Sequence, residues 1–262
     1  MTNLKKPPPY PSAHNLLEKK KVVITAAAGS GIGFATAKRC IEEGAEVLIS
    51  DVHENRLLKA AKKLEEEFSF LPPSFLCDVR DTKQTDELIK VAAKEFGTVD
   101  VVVNNAGLGG YSKISEMTDE NWSKVLETTL TGTFKMTRSA LRYMEKQGHG
   151  VIVNNASVLG WRAQENQAHY SSAKAGVMAF TRSSALEAVK FGVRINAVSP
   201  SIALHEHLSK TSNEKLIEEL VAREVFERAA EPWEIANVII FLASDYSSYL
   251  TGEVISVSSQ HP

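Results

Sequence analysis

The chain has 262 residues, of which 30 are lysine or arginine and 32 are aspartate or glutamate, so its formal net charge is -2. That balance argues against electrostatic binding of nucleic acid, and a hydrophobic content of 43% excludes disorder over most of the chain. Two cysteines, Cys40 and Cys77, are too few for a disulfide framework or a four-cysteine zinc site. The start of the chain lacks the apolar segment of a secretory signal, and the apolar run 238–243 is too short to cross a membrane. We therefore expect a cytoplasmic protein that binds no membrane.

Short apolar runs alternate with helix-length amphipathic segments from Lys21 onward, whereas residues 1–20 are polar and proline-rich. We predict an N-terminal arm over 1–20 and one domain over 21–262. The predicted strands are 22–24, 47–49, 75–76, 99–103, 151–153, 193–198 and 254–257, and the predicted helices are 32–43, 54–68, 82–96, 121–146 and 168–190. This alternation favours an α/β fold in which a doubly wound parallel sheet of about seven strands carries helices on both faces.

Residues 203–230 interrupt this rhythm, because they are polar and carry a helical stretch of their own over 214–227. A lid over a site at the strand ends and an ordinary surface insertion are both consistent with such a segment.

A glycine-rich turn follows the first predicted strand and opens the first helix. Glycine at such a junction lets the backbone approach a pyrophosphate, and the following helix offers free N–H groups to it. The second strand ends at Asp51, 18 residues after Gly33, where a carboxylate can accept hydrogen bonds from ribose hydroxyls and repels a 2′-phosphate. Turns and helix caps also use these residue types, but the pair together favours a dinucleotide. The turn consists of Gly29, Ser30, Gly31, Ile32 and Gly33.

Tyr170 and Lys174 lie four residues apart on a predicted helix and therefore share one face. A lysine near a tyrosine hydroxyl stabilises the phenolate and lowers its pKa, so that the tyrosine can exchange a proton near neutral pH. Ser157, just beyond the fifth strand, could hydrogen-bond the same substrate oxygen. Alone, each of these residues fits ordinary packing or a turn equally well.

Taken in order along the chain, these motifs resemble the short-chain dehydrogenase/reductases, in particular the 3-oxoacyl thioester reductases, over about residues 21–257. The resemblance implies a single Rossmann-type domain in which Ser157, Tyr170 and Lys174 are catalytic. It also implies contacts to the cofactor from the glycine-rich turn and from Asp51, Asp78, Val79, Asn105, Ala106, Gly107, Tyr170, Lys174, Pro200, Ser201 and Ile202.

The activity that this resemblance implies is hydride transfer between a nicotinamide cofactor and a secondary alcohol or ketone. A 3-hydroxyacyl or a ring-bearing, steroid-derived acyl-CoA is a reasonable substrate. Because Asp51 occupies the place of a 2′-phosphate and Val52 and His53 follow it, we predict NAD(H) over NADP(H). A homotetramer is expected, with a dimer as the alternative. The rival hypothesis is a catalytically silent nucleotide-binding or regulatory protein on the same fold.

The chain departs from the family pattern at several positions. Ala26 and Ala27 replace the usual Thr-Gly, so we expect a lost side-chain hydrogen bond at Ala26. Because alanine at positive φ costs about 1–2 kcal/mol, we also expect ordinary φ and ψ angles there. Thr129 stands where a catalytic asparagine is usual, and it either takes over part of a proton relay or only fills space in a helix. Ser201 replaces a glycine.

Other residues with chemical potential fit plainer roles. His205 and His207 flank Glu206, but a chance arrangement in a loop is favoured over zinc, and no metal site is predicted. Tyr111 and Trp161 follow the fourth and fifth strands, where lining of a substrate cleft and surface packing are both open. His169 is read as structural or substrate-lining.

Overall fold

The computed structural model describes residues 5–204 and 214–260. Its seven strands form one parallel sheet in the order β3-β2-β1-β4-β5-β6-β7, which confirms the predicted doubly wound α/β fold. The strands are β1 (Lys21–Ile24), β2 (Glu46–Asp51), β3 (Ser74–Leu76), β4 (Val101–Asn104), β5 (Gly150–Asn155), β6 (Val193–Pro200) and β7 (Val254–Val257). The helices are α1 (Ile32–Glu42), α2 (Glu54–Phe68), α3 (Thr82–Phe96), α4 (Asp119–Leu126), α5 (Gly132–Gln147), α6 (Ala168–Ala188), α7 (Glu214–Val221) and α8 (Pro232–Ala243).

The central strands are apolar along their whole length because helices cover both faces of the sheet. In β1, Val22 and Ile24 pack into a core that includes α1 and α8, whereas Val23 between them packs into a second core with α3 and α5. This alternation is the two-residue period of a strand buried on both sides.

The strand order reverses between β1 and β4, so the loops after these strands diverge and leave a crevice at the carboxyl edge of the sheet. Ligands of open parallel sheets bind in such a crevice. The glycine-rich turn follows β1, Asp51 ends β2, and the segment from Asn105 follows β4.

Two predicted helices differ from the observed ones. The segment 121–146 is interrupted by a π-helical turn, Glu127–Thr131, between α4 and α5. The predicted helix 214–227 ends earlier, at Val221. The lid hypothesis for 203–230 falls partly outside the described residues, and His205 and His207 lie wholly outside them.

The N-terminal segment lies against α1 through specific contacts. Leu17 is fully buried in the core beside α1, and the Tyr10 hydroxyl donates to the Glu42 carboxylate at 2.8 Å. Glu43, fully buried at the end of α1, accepts hydrogen bonds from two main-chain amides of this segment and pairs with Arg39 at 2.6 Å. A buried carboxylate needs such partners, and here the arm supplies part of them.

Candidate active site

The glycine-rich turn has the geometry of a phosphate cradle. A Cβ on Gly33 would lie 2.3 Å from the Ala26 carbonyl oxygen, so only glycine lets α1 approach the turn this closely. Gly29 has φ +104°, and a Cβ there would meet open space. Gly31 caps α1 without any side-chain hydrogen bond, which leaves the first N–H groups of the helix to a ligand. These features fit a pyrophosphate.

Ala26 contradicts the expectation of ordinary backbone angles, because its φ of 49° lies in the left-handed region. The conformation is held by the Asn105 side-chain amide, which donates to the Ala26 carbonyl at 3.0 Å. The neighbouring Thr25 hydroxyl accepts hydrogen bonds from the main-chain amides of Asn105 and Ala106 at 3.0 and 3.1 Å. Thr25 thus ties the turn to the segment after β4 and supplies a side-chain hydrogen bond there.

Asp51 is 5% exposed at the carboxyl end of β2, beside the turn. Its carboxylate accepts hydrogen bonds from the main-chain amides of Ala28 at 3.4 Å and His53 at 2.9 Å. Burial raises its pKa, and the Arg56 guanidinium, 3.7 Å away, opposes that rise. A carboxylate is therefore present where the ribose of a dinucleotide would lie, and an arginine that the sequence analysis did not single out accompanies it.

The Ser157 hydroxyl lies close enough to Tyr170 to act on the pKa of its phenol. Ser157 is also the N-cap of the short helix Val158–Gly160, because its hydroxyl accepts the Leu159 amide at 3.2 Å. Burial raises the pKa of Tyr170, and the neighbouring Ser157 hydroxyl offsets only part of that rise. The net shift of this pKa is therefore upward, whereas the sequence predicted a lowered value.

Lys174 is 4% exposed and lies one helical turn beyond Tyr170 on α6, with its ammonium 5.7 Å from the centre of the phenol ring. Burial lowers the pKa of Lys174 to about 8. The ammonium donates to the main-chain oxygen of Asn155 at 2.5 Å. The lysine is therefore held by the end of β5, one helical turn from the phenol.

Thr129 lies within the π-helical turn and is fully buried. Its hydroxyl accepts the Leu108 amide at 3.0 Å and donates to the Leu108 carbonyl at 3.2 Å. A Cβ on Gly107 would lie 3.4 Å from the Lys174 ammonium and 3.7 Å from this hydroxyl, so both groups surround the same glycine. Thr129 therefore holds the segment after β4 against the site.

The remaining predicted residues lie at the same edge of the sheet. The Asp78 carboxylate accepts hydrogen bonds from Arg80 at 2.6 to 3.0 Å, which lowers its pKa, and Val79 packs against Gly132. Beyond them, Pro200 ends β6, the Ser201 amide donates to the Val257 carbonyl at 3.2 Å, and the Ile202 carbonyl accepts the Ala230 amide at 2.9 Å.

The three candidates for lining a substrate cleft, Tyr111, His169 and Trp161, have different surroundings. The electrostatic influence of Tyr111 reaches Tyr170, which places the two phenols in one neighbourhood. His169 is 2% exposed and faces Gly110, where a Cβ would lie 3.2 Å from its Nε2. Trp161, 44% exposed, lines a cleft of about 720 Å³ between the segments 112–115 and 159–166.

Three contributors to the site were not singled out from the sequence: Thr25, Arg56 and Asn155. Neither Thr25 nor Arg56 stands in a recognisable sequence motif. The partners of Thr25 are distant in the chain, and Arg56 reaches Asp51 from the helix that follows it. Asn155 could have been noticed in the sequence, because it is the second of two asparagines that end a strand rich in valine and isoleucine.

Comparison with known proteins agrees with this geometry. The family model described as enoyl-(acyl carrier protein) reductase matches residues 26–259. The chain is 58% identical over 261 residues, with 99% of it and 100% of the relative covered, to a (5R,7aS)-5-hydroxy-7a-methyl-1-oxo-2,3,5,6,7,7a-hexahydro-1H-indene-carboxyl-CoA reductase of Mycobacterium tuberculosis. It is 37% identical, with 92% and 97% covered, to the 3-oxoacyl-[acyl-carrier-protein] reductase FabG of Thermotoga maritima.

Among solved structures, a short chain dehydrogenase from Mycobacterium smegmatis matches with a TM-score of 0.89 at 53% identity, covering 99% of this chain and 100% of the other. The chain is a short-chain dehydrogenase/reductase. It is therefore an oxidoreductase that uses a nicotinamide cofactor, and the hypothesis of a catalytically silent protein is set aside. A search of the described residues of this short-chain dehydrogenase/reductase finds no helix that could span a membrane.

Proposed function

We propose that this protein transfers a hydride between a nicotinamide cofactor and a ring carbonyl or hydroxyl of an acyl-CoA. The observation that carries this proposal is that Ser157, Tyr170 and Lys174 lie together at the edge of the sheet that holds the glycine-rich turn. The ring-bearing CoA substrate is supported by the relative at 58% identity, which is a reductase of an indene-carboxyl-CoA. A linear 3-oxoacyl thioester is the second candidate, supported by the FabG relative.

In the proposed mechanism, the bound cofactor supplies or accepts the hydride. Tyr170 donates the proton to the substrate oxygen during reduction and removes it during oxidation. Ser157 orients that oxygen, because its hydroxyl lies beside the phenol. Lys174 places a positive charge near the phenolate that forms, in surroundings where burial strengthens its effect.

Replacement of Tyr170 by phenylalanine tests the chemistry. Tyr170→Phe keeps the ring and removes the proton, so turnover should fall by about 10²–10⁴ while the dissociation constant of the dinucleotide changes little. Tyr246→Phe, at a side chain 77% exposed on the surface, is the matched control. The assay compares a bicyclic keto-acyl-CoA with a linear 3-oxoacyl-CoA. Near-normal turnover of Tyr170→Phe on both substrates contradicts the mechanism.

The cofactor preference belongs to the proposal as NAD(H) over NADP(H). The buried Asp51 carboxylate supports it, because a 2′-phosphate would meet a second negative charge there. The nearby Arg56 is the feature that could offset this repulsion. Calorimetry should give tighter binding of NADH than of NADPH. Asp51→Ala should bring the dissociation constants of the two dinucleotides closer together. Tighter binding of NADPH by the unmodified protein would reject the preference.

The proposal also includes the predicted assembly and location: a homotetramer, with a dimer as the alternative, in the cytoplasm. The contacts of Pro200, Ser201 and Ile202 with the nicotinamide, and of Asp78 and Val79 with adenine, are proposed in the same way.

A further inference from the structure

Asn155, the last residue of β5, connects the lysine of the site to the glycine-rich turn, although the proposed mechanism gives it no role. Its main-chain oxygen accepts the Lys174 ammonium at 2.5 Å. Its side-chain amide donates to the Asn105 side-chain oxygen at 2.9 Å, and the Asn105 amide donates in turn to the Ala26 carbonyl at 3.0 Å. An unbroken chain of hydrogen bonds therefore runs from the ammonium to the turn.

The side chain of Asn105 has its donor and its acceptor both engaged in this chain. The Asn105 side-chain oxygen accepts a hydrogen bond from the Asn155 amide group. The amide nitrogen of Asn105 must therefore face Ala26. Ala26 holds a left-handed conformation, which an alanine keeps only where surrounding contacts determine it. The direction of the Ala26 carbonyl thus depends on Asn155 through one intermediate side chain.

The neighbouring asparagine on the same strand serves a different purpose. Asn154 points to the other face of the sheet, as successive strand residues do. It accepts from the Asn104 amide at 2.9 Å and donates to the Thr181 hydroxyl at 2.9 Å, within the buried core. Only Asn155 faces the site, where its side-chain oxygen is buried without a hydrogen-bond partner among the described residues.

We propose that Asn155 is a positioning residue that fixes Lys174 and the dinucleotide-binding turn relative to one another. Its carbonyl sets the place of the ammonium, and its side chain, through Asn105, sets the shape of the turn at Ala26. The Thr129 hydroxyl is hydrogen-bonded to the main chain of Leu108. Lys174 is therefore held by the end of β5 and not by the π-helical turn that contains Thr129. This inference rests on the proposed function, in which Lys174 and the turn act on one bound cofactor.

The test replaces Asn155 by alanine and by aspartate in the full-length protein and measures the dissociation constant of NADH and NADPH by calorimetry from pH 6 to 10. Asn155→Ala should weaken binding of the preferred dinucleotide about tenfold, because the turn loses its support. Asn155→Asp introduces a negative charge on the residue whose main-chain oxygen holds the ammonium. That charge should raise the pKa of Lys174 above about 8 and move the alkaline limb of the binding profile to higher pH.

Thr181→Val is the control, because it removes a buried hydrogen bond from Asn154 without contact to Asn105 or Lys174. It should lower the melting temperature and leave dinucleotide affinity and its pH profile unchanged. Unaltered affinity in Asn155→Ala with an unaltered pH profile in Asn155→Asp would overturn the inference, as would an equal loss of affinity in Thr181→Val. Failure of the unmodified protein to bind either dinucleotide would overturn the proposed function as well, so the two failures are distinguishable.

Discussion

At the scale of single residues, Lys174 shows the conflict between stability and function. It is 4% exposed, and burial lowers its pKa from 10.5 to about 8. Its described hydrogen-bond partner is a neutral carbonyl rather than a carboxylate. A cation kept in such surroundings destabilises the folded state, and its value to the protein must lie in the reaction.

This conflict predicts that Lys174→Met stabilises the protein while abolishing turnover. Below pH 8 the folded and unfolded states both carry the charge, and burial of that charge costs about 3 kcal/mol. Between pH 8 and 10.5 the folded state has released the proton that the unfolded state still binds, so the stability of the unmodified protein rises with pH. The gain from Lys174→Met, measured by urea unfolding, should therefore be largest at pH 7 and vanish near pH 10.5.

The control for this measurement is Lys190→Met, since Lys190 is exposed in the short helix Val189–Phe191 that follows α6. It should change the free energy of unfolding by less than about 0.5 kcal/mol at every pH. A destabilised Lys174→Met protein at pH 7 would show that the contact with Asn155 outweighs the burial of the charge.

The identities of the proposed catalytic residues could be expected from the sequence, but their environments could not. Ser157, Tyr170 and Lys174 follow a recognisable spacing, and the structure brings them together at one edge of the sheet. The raised pKa of Tyr170 and the left-handed Ala26 depend on burial and on partners far away in the chain. No local pattern contains that information.

At the scale of elements, the π-helical turn Glu127–Thr131 decides what Thr129 contacts. A π turn adds a residue to the helical repeat and rotates the following side chains, and such turns are common at functional sites. Here it directs Thr129 inward, where its hydroxyl both accepts from and donates to the main chain of Leu108. The hydrophobic pattern of 121–146 predicts one helix, because a single inserted residue hardly changes a period of 3.6 over so long a segment.

Thr129→Val distinguishes the two hypotheses for this residue. Valine keeps the shape and removes the hydroxyl, so the Leu108 amide loses its partner and the segment after β4 loosens. We expect the KM for the dinucleotide to rise several-fold, with the pH profile of turnover unchanged from pH 6 to 10. A tenfold loss of kcat, about 1.4 kcal/mol of barrier, together with a shifted pH profile would instead assign Thr129 to the proton relay. Thr133→Val serves as the control. It also removes a buried hydroxyl, which donates a hydrogen bond to the Thr129 carbonyl at 2.8 Å.

The strands were the most predictable elements. Valine and isoleucine runs mark each central strand, and their order with the helices between them leaves few topologies for a parallel sheet. The N-terminal segment was harder to interpret, because Leu17 is a single apolar contact and the partners of Glu43 are main-chain amides, which have no sequence signature.

At the scale of the whole molecule, two apolar surfaces on the described chain have the properties of subunit interfaces. On α5 and α6, Phe134 and Phe180 pack edge to face at 6.2 Å, with the Arg138 guanidinium over the Phe134 ring. At one edge of the sheet, β7 is an edge strand, and the fully exposed Tyr249 precedes it. Proteins commonly cover or block such an edge strand, and pairing with a second subunit is one way to cover it.

Two separate surfaces related by two-fold axes would produce a closed tetramer, whereas one would stop at a dimer. We therefore expect light scattering at micromolar concentration to give about four times the chain mass of 28.7 kDa. Phe134→Asp should reduce this to a dimer, because a carboxylate cannot be buried without a partner at the α5–α6 surface. Leu58→Asp, at an exposed position on α2 away from both surfaces, should leave the tetramer intact. A monomeric unmodified protein would refute the assembly, and a Phe134→Asp tetramer would refute the assignment of this surface while leaving the edge strand as the remaining candidate.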